Sequence, residues 1–152
     1  MRSHVLVLAG ERGWKDGPIA RLVEGGGRRI RALGFVDDEA LAVLYNGADA
    51  LVFPSSYEGF GIPVLEARAC GTRVVTTDLP ELREAGGSDA IYVAPTQDAL
   101  RAGMLEALAS NRPKALAPSE CSWNSSARVF ANLLTKTHTI APHEVREPAG
   151  IY

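Results

Sequence analysis

The chain has few cysteines, few histidines, almost no net charge and no long apolar run. Two cysteines in 152 residues, Cys70 and Cys121, form no disulfide framework and no C-x-x-C metal pair. Reduced thiols in a cytoplasmic setting are the default for such usage. The three histidines, His4, His138 and His143, lack the spacing of zinc ligands, so no metal is expected. A net charge of −2 offers no electrostatic grip on nucleic acid or on an anionic membrane. The opening "MRSHVLVLAGERG" is too briefly apolar for a signal peptide or a membrane span. "AGERGW" lacks the G-x-G-x-x-G of an NAD site. No serine stands in a G-x-S-x-G elbow, which removes the support for a hydrolase triad. "GGGRR" has its glycines where a helix ends, so it reads as a turn and not as a phosphate loop.

What is present is the profile of one globular domain, 46% hydrophobic and 22% charged. Short apolar runs alternate with segments of helical period. "HVLVLAG", "RIRALGFV", "ADALVFP", "TRVVTTD" and "AIYVAP" read as strands. Between them, "DGPIARLVEGGG", "DDEALAVLYNGAD", Val64 to Cys70, "LPELREAGG" and "TQDALRAGMLEALASN" read as helices. "SWNSSARVFANLLTKT" predicts a last helix, with Trp123 and Phe130 as its core anchors. The expected organisation is a domain over residues 1–137 and a tail over 138–152. Strands alternating with helices predict an α/β fold: a Rossmann-like parallel sheet with helices on both faces. In such sheets ligands bind at the carboxyl ends of the strands. That places the candidate site at Gly10-Glu11, Val36-Asp37, Pro54 to Ile62 and Thr77-Asp78, which are expected to share one edge.

The third of these loops belongs to "SSYEGFGIPVLEARACG", Ser55 to Gly71. Glu58 and Glu66 flank a glycine elbow. One helix cannot hold both, because Gly59, Gly61 and Pro63 interrupt it. Glu58 therefore lies in a loop, and Glu66 near the start of the helix that Pro63 opens. Gly59 and Gly61 let a ligand approach the backbone. The amides of Gly61, Ile62, Val64 and Leu65 are expected to be free at a helix start, where an anion such as a diphosphate is favoured. Glu66 can accept hydrogen bonds from a vicinal diol such as a ribose, and Glu58 can do so from sugar hydroxyls. Against this stands an ordinary strand-to-helix turn with a glutamate that merely complements the helix dipole.

The stretch "LGFVDDEALAVLYNGADALVFPSSYEGFGIPVLEARACGTRVVTTDLPELREAGG", with Ser122-Trp123 further on, resembles the C-terminal domain of the family-4 retaining glycosyltransferases. The resemblance runs from about Val5 to Leu134, and the two glutamates with seven residues between them are its hallmark. It implies the C-terminal half of a GT-B fold and transfer of a hexose from a nucleoside-diphosphate sugar with retention. It further implies that no metal and no cofactor take part. It implies that Glu66 binds the ribose and that Glu58, at the donor sugar, is the catalytic-site residue of this chain. Gly59, Phe60, Gly61, Ile62 and Leu65 would hold sugar and diphosphate, and the Val36 backbone would meet the base. The acceptor, a glycan or lipid-linked sugar, is expected on the family's N-terminal domain, which has no counterpart here. The full enzyme would be cytoplasmic or peripheral to the membrane. The first strand and loop of the C-terminal domain also lack a counterpart. Arg12 and Lys15 follow the second strand and read as solvated surface charge. Because the first strand of a doubly wound sheet is central, a gap or a rearranged edge is expected. Self-association or a separate partner chain follows from an open apolar edge. The chain alone is expected to be inactive, or to be a non-catalytic nucleotide- or partner-binding remnant.

Overall fold

Every apolar run that predicts a strand forms one. The structure, a computed structural model, describes residues 4–11, 13, 17–117, 124, 127, 131 and 132. The chain divides into two compact units, Met1–Ala115 and Leu116–Tyr152. In the second unit Asn124, Ala127, Ala131 and Asn132 are helical. Arg12, Lys15, Cys121, Trp123, Phe130 and the expected tail lie outside the described residues.

The first unit runs β1 (Leu6–Ala9), α1 (Gly17–Gly25), a 3-10 turn (Gly27–Arg29), β2 (Ile30–Gly34), α2 (Asp38–Gly47) and β3 (Leu51–Phe53). It continues with α3 (Ile62–Ala69), β4 (Val74–Thr77), α4 (Pro80–Gly86), β5 (Ile91–Val93) and α5 (Gln97–Ala109). Capping fixes two helix starts: Asp37 Oδ1 accepts from the Ala40 amide at 2.8 Å and Thr96 Oγ1 from the Ala99 amide at 3.3 Å. α3 begins at Ile62, two residues before the expected start. Gly61, left-handed at φ 83°, turns the chain directly into the helix and leaves Pro63 in its first turn.

All strand pairs are parallel, as the alternating pattern predicts, and five helices flank them. They form two sheets. β1 pairs with β2, Leu6 opposite Ile30. β3, β4 and β5 pair in that order, Leu51 opposite Val74 and Val75 opposite Ile91. No strand pairing joins β1 to β3.

β4 is the centre of the core, and all four of its residues are buried. Side chains of a strand alternate between faces. Val74 joins Tyr45, Val64, Ala67, Leu82 and Ala85 from α2, α3 and α4. Val75 meets α5, which comes close because Gly103 has no side chain; a Cβ there would sit 2.9 Å from a Val75 methyl. The buried threonines are satisfied. Thr76 Oγ1 donates to the Phe53 carbonyl at 2.8 Å, and the Thr77 hydroxyl donates to the Ser55 carbonyl. Arg112 donates to carbonyls where α2 and α3 end. Its Nε donates to Gly71 O at 2.9 Å and a terminal nitrogen reaches Tyr45 O and Cys70 O, both at 3.3 Å.

Candidate functional site

The carboxyl ends of the strands carry the loops that the sequence singles out. Gly10 donates its amide to Gly34 O at 2.8 Å, so the ends of β1 and β2 are fastened together. Ser55, just after β3, is fastened to Thr77 at the end of β4. The four loops thus form two groups, one on each sheet. Val36 belongs to the first group and the glycine elbow to the second.

The elbow is built on α4. Gly61 is buried, and a Cβ at its position would lie 2.6 Å from Leu82 Cδ2. Both its left-handed φ and this contact require glycine. Gly59 instead faces open space, with nothing within 4 Å of where a side chain would start. Phe60 and Ile62 are exposed around it.

The expectation of four free amides needs correction. Val64 N–H donates to Gly61 O at 3.0 Å and Leu65 N–H to the same oxygen at 3.3 Å. The early start of α3 closes its first turn onto Gly61, and this consumes both donors. The amides of Gly61 and Ile62 have no acceptor among the described residues. Of the four, two amides at the mouth of α3 are thus left without an acceptor among the described residues.

Glu58 is half-buried in the loop before the elbow, and Glu66 is exposed one turn into α3. Glu66 is held from behind. Tyr45, buried at the end of α2, donates its hydroxyl to Glu66 Oε2 at 3.2 Å. Burial, and then the Glu66 carboxylate, push the Tyr45 phenol far above its usual range, so it stays a donor. No hydrogen bond to the carboxylate's second oxygen is seen among the described residues. In the sequence, Tyr45 falls on the apolar stripe that Leu41 and Leu44 give α2. A buried tyrosine needs a hydrogen-bond partner, and that need was the signal for its role.

Val36 lies beside a shallow, mainly apolar depression of about 440 Å³ shared with Phe35, Ala40 and Val43. Asp78, at the end of β4, is engaged by Arg83. The guanidinium donates to its two oxygens at 2.5 and 2.8 Å and lies over the Tyr92 ring, 4.7 Å from its centre. The hydrogen bonds from Arg83 hold the Asp78 carboxyl below its ordinary range. Cys70 is partly buried against the core at the end of α3.

Parallel strands with helices on both faces, and a glycine elbow at the carboxyl edge, define a Rossmann-like α/β protein. The chain belongs to the group 1 glycosyl transferases, whose family model matches residues 2–113. It is 45% identical over 106 residues to the O-antigen chain mannosyltransferase B of Escherichia coli, a match covering 68% of this chain and 28% of that protein. It is 35% identical over 129 residues to the serotype-specific mannosyltransferase WbdA of Escherichia coli, covering 78% of this chain and 16% of the relative. Glycogen synthase of Mycobacterium tuberculosis is 43% identical over 70 residues, covering 45% and 17%. The chain thus spans less than a third of the length of these relatives. Among the described residues, no helix is long and apolar enough to cross a membrane.

Proposed function

We propose that this chain is the donor-binding part of a retaining, metal-independent glycosyltransferase that moves a hexose from a nucleoside-diphosphate sugar to an acceptor. The observation that carries this reading is the exposed Glu66 carboxylate, oriented by a buried tyrosine and set one helical turn from the unpaired Gly61 and Ile62 amides. A carboxylate with one oxygen held and one free suits a ribose diol. Two amides at a helix mouth suit the diphosphate that the ribose carries. When the sugar leaves, negative charge grows on that diphosphate, and donors already aimed at it lower the barrier. Glu58 contacts the donor sugar from the preceding loop. Val36 offers its backbone to the base beside an apolar depression. The relatives named as mannosyltransferases make a nucleoside-diphosphate mannose, with GDP-mannose first, the donor to try.

A second reading stands beside the first: alone, the donor-binding part binds donor weakly and transfers nothing, because one face of a cleft does not exclude water. Calorimetry with GDP, UDP and ADP on the wild type and on Glu66→Ala tests the ribose assignment. Loss of the diol contact is expected to weaken the preferred nucleotide about tenfold or more, a difference of about 1.4 kcal/mol. Equal affinities would remove Glu66 from the site. Turnover of GDP-mannose by the isolated chain would overturn that second reading.

A further inference from the structure

Arg112 stands in the short segment after α5. Pro113 disfavours helical backbone at Arg112, because the ring crowds the residue before it. The segment is fastened in place. Arg73 donates through Nε to Asn111 O at 2.9 Å and through a terminal nitrogen to Ser110 O. Gly71, left-handed at φ 68°, packs directly against it: a Cβ there would lie 3.1 Å from both Pro113 O and Ala115 N. The chain therefore crosses the end of α3 at a fixed place and lays Arg112 over the ends of two helices.

Those two ends carry the pair that orients the carboxylate. Tyr45 is in the last turn of α2. Cys70, the C-cap of α3, lies one turn after Glu66, and its amide donates to Glu66 O at 3.1 Å. Arg112 joins the two turns. One terminal nitrogen reaches Tyr45 O and Cys70 O, both at 3.3 Å, and Nε donates to Gly71 O at 2.9 Å. The same terminal nitrogen donates to Thr72 Oγ1 at 3.1 Å. A hydroxyl that accepts one hydrogen bond still has its own proton to give, and buried Thr72 gives it to Tyr45 O. Tyr45 is thus gripped at both ends, at its carbonyl by Thr72 and Arg112 and at its phenol by Glu66. The path closes on itself: from Glu66 along one turn of α3, through Arg112 to Tyr45, and back to Glu66. The phenol–carboxylate bond is long for an O–H···O contact at 3.2 Å, so a small shift between α2 and α3 decides whether it forms.

We propose that Arg112 is a positioning residue for Glu66. It fixes the spacing between the ends of α2 and α3, and through the Tyr45 phenol it sets the direction of the Glu66 carboxylate toward the diol of a bound nucleotide. It acts without touching that nucleotide. The ligand in this inference rests on the donor reading, whereas the relay from Arg112 to Glu66 rests on the hydrogen bonds alone and is measurable without nucleotide. An arginine that merely capped two helices would contribute stability and leave the choice between ribose and deoxyribose untouched.

The test compares wild type, Arg112→Met, Tyr45→Phe and the double variant. Methionine keeps most of the aliphatic stem and removes every donor. Arg112→Lys, which keeps the charge without the fork, takes its place if Arg112→Met does not fold. Carbon NMR of the Glu66 carboxyl, without ligand, is expected to move in the same direction in both single variants, and no further in the double variant than in Tyr45→Phe. A Glu66 carboxyl signal unmoved by the Arg112 change would overturn the relay. Calorimetry then uses whichever of GDP, UDP and ADP binds best, together with its 2′,3′-dideoxy form. Wild type is expected to prefer the ribose form about tenfold, and both single variants and the double variant only about threefold, because the two changes break one path. A preference kept at wild-type strength in the Arg112 variant would overturn the positioning role and leave the donor reading standing. Losses that multiply in the double variant would overturn the route through Tyr45. A wild type that does not tell the two forms apart would overturn the donor reading, and with it the role of Arg112 at the ligand, whatever the carboxyl signal shows.

Discussion

Glu66 and Tyr45 form the pair on which the proposed donor site turns. Tyr45→Phe keeps the ring in the core and removes only the donor. A hydrogen bond to a charged group contributes about 1.5–3 kcal/mol when made in full. Glu66 is exposed and water can replace the phenol, so a loss of several-fold in nucleotide affinity is expected, with the fold retained. Unchanged affinity would mean that Glu66 needs no support. The same phenol bears on alkaline stability. Its folded pKa is raised, so the stability tied to it is whole below about pH 10 and is lost as pH climbs further. Wild type is therefore expected to lose denaturant resistance above pH 10 faster than Tyr45→Phe. Tyr92, also raised by burial, remains in both as a common background. Asp78 behaves in the opposite sense. Arg83 lowers its carboxyl, so the contribution of that pair is present above the ordinary carboxylate range near pH 4 and is lost as pH falls. Both groups are solvent-exposed, and the measurable effect is the titration itself. Carbon NMR is expected to show the Asp78 carboxyl titrating below its neighbours in wild type and returning to the ordinary range in Arg83→Ala. An unmoved titration would mean that water screens the pair completely.

At the scale of elements, the elbow and α4 act as one piece. Gly61→Ala meets two penalties, a left-handed φ that costs about 1–3 kcal/mol and a Cβ 2.6 Å from Leu82. Leu82→Ala alone is expected to cost about 2–5 kcal/mol, because the leucine is fully buried. In the double variant the clash vanishes and the left-handed penalty stays. Denaturant melts of the four proteins are expected to show the pair costing less than the sum of the singles by at least about 0.5 kcal/mol. Strict additivity would place the whole cost of Gly61→Ala in the backbone. Most elements were legible in the sequence, because their apolar period, caps and glycine stops are local properties. Asp37 and Thr96 cap where their side chains and positions require. What stayed hidden is tertiary. Nothing in "EGFGIPV" reveals that Leu82 presses on Gly61, or that Gly61 O takes the Val64 and Leu65 amides. Arg112 was invisible for the same reason: its partners lie at Tyr45, Cys70 and Gly71, far back in the chain. The two glutamates were legible as residues that flank the glycine elbow, but the tyrosine behind one of them was not.

For the molecule as a whole, stability should follow the division into sheets. The β3-β4-β5 sheet has helices on both faces and holds the buried cluster of Val64, Val74 and Leu82. The β1-β2 pair, with α1, contributes no residue to the buried core. α2 ties it to the larger sheet, and so does the His4–Asp49 pair, whose side chains are 43% and 66% exposed. An exposed pair of this kind is worth at most about 1 kcal/mol, and only while the histidine is protonated. It cannot make two sheets unfold as one. Burial of Leu82, Val64 and Val74, at about 1.5–3 kcal/mol for each large aliphatic side chain, outweighs it several-fold on one side of the division alone. The β1-β2 and α1 amides are therefore expected to exchange through a smaller, sub-global opening with weak denaturant dependence. Those of β4, α3 and α4 are expected to wait for global unfolding. Native-state hydrogen exchange over a series of low denaturant concentrations measures this. Two separated groups of opening free energies are the expected pattern, with β1 in the lower group. A single isotherm that merges all of these amides would show that α2 alone couples the sheets, and that the open edges cost the larger sheet as much as the smaller one.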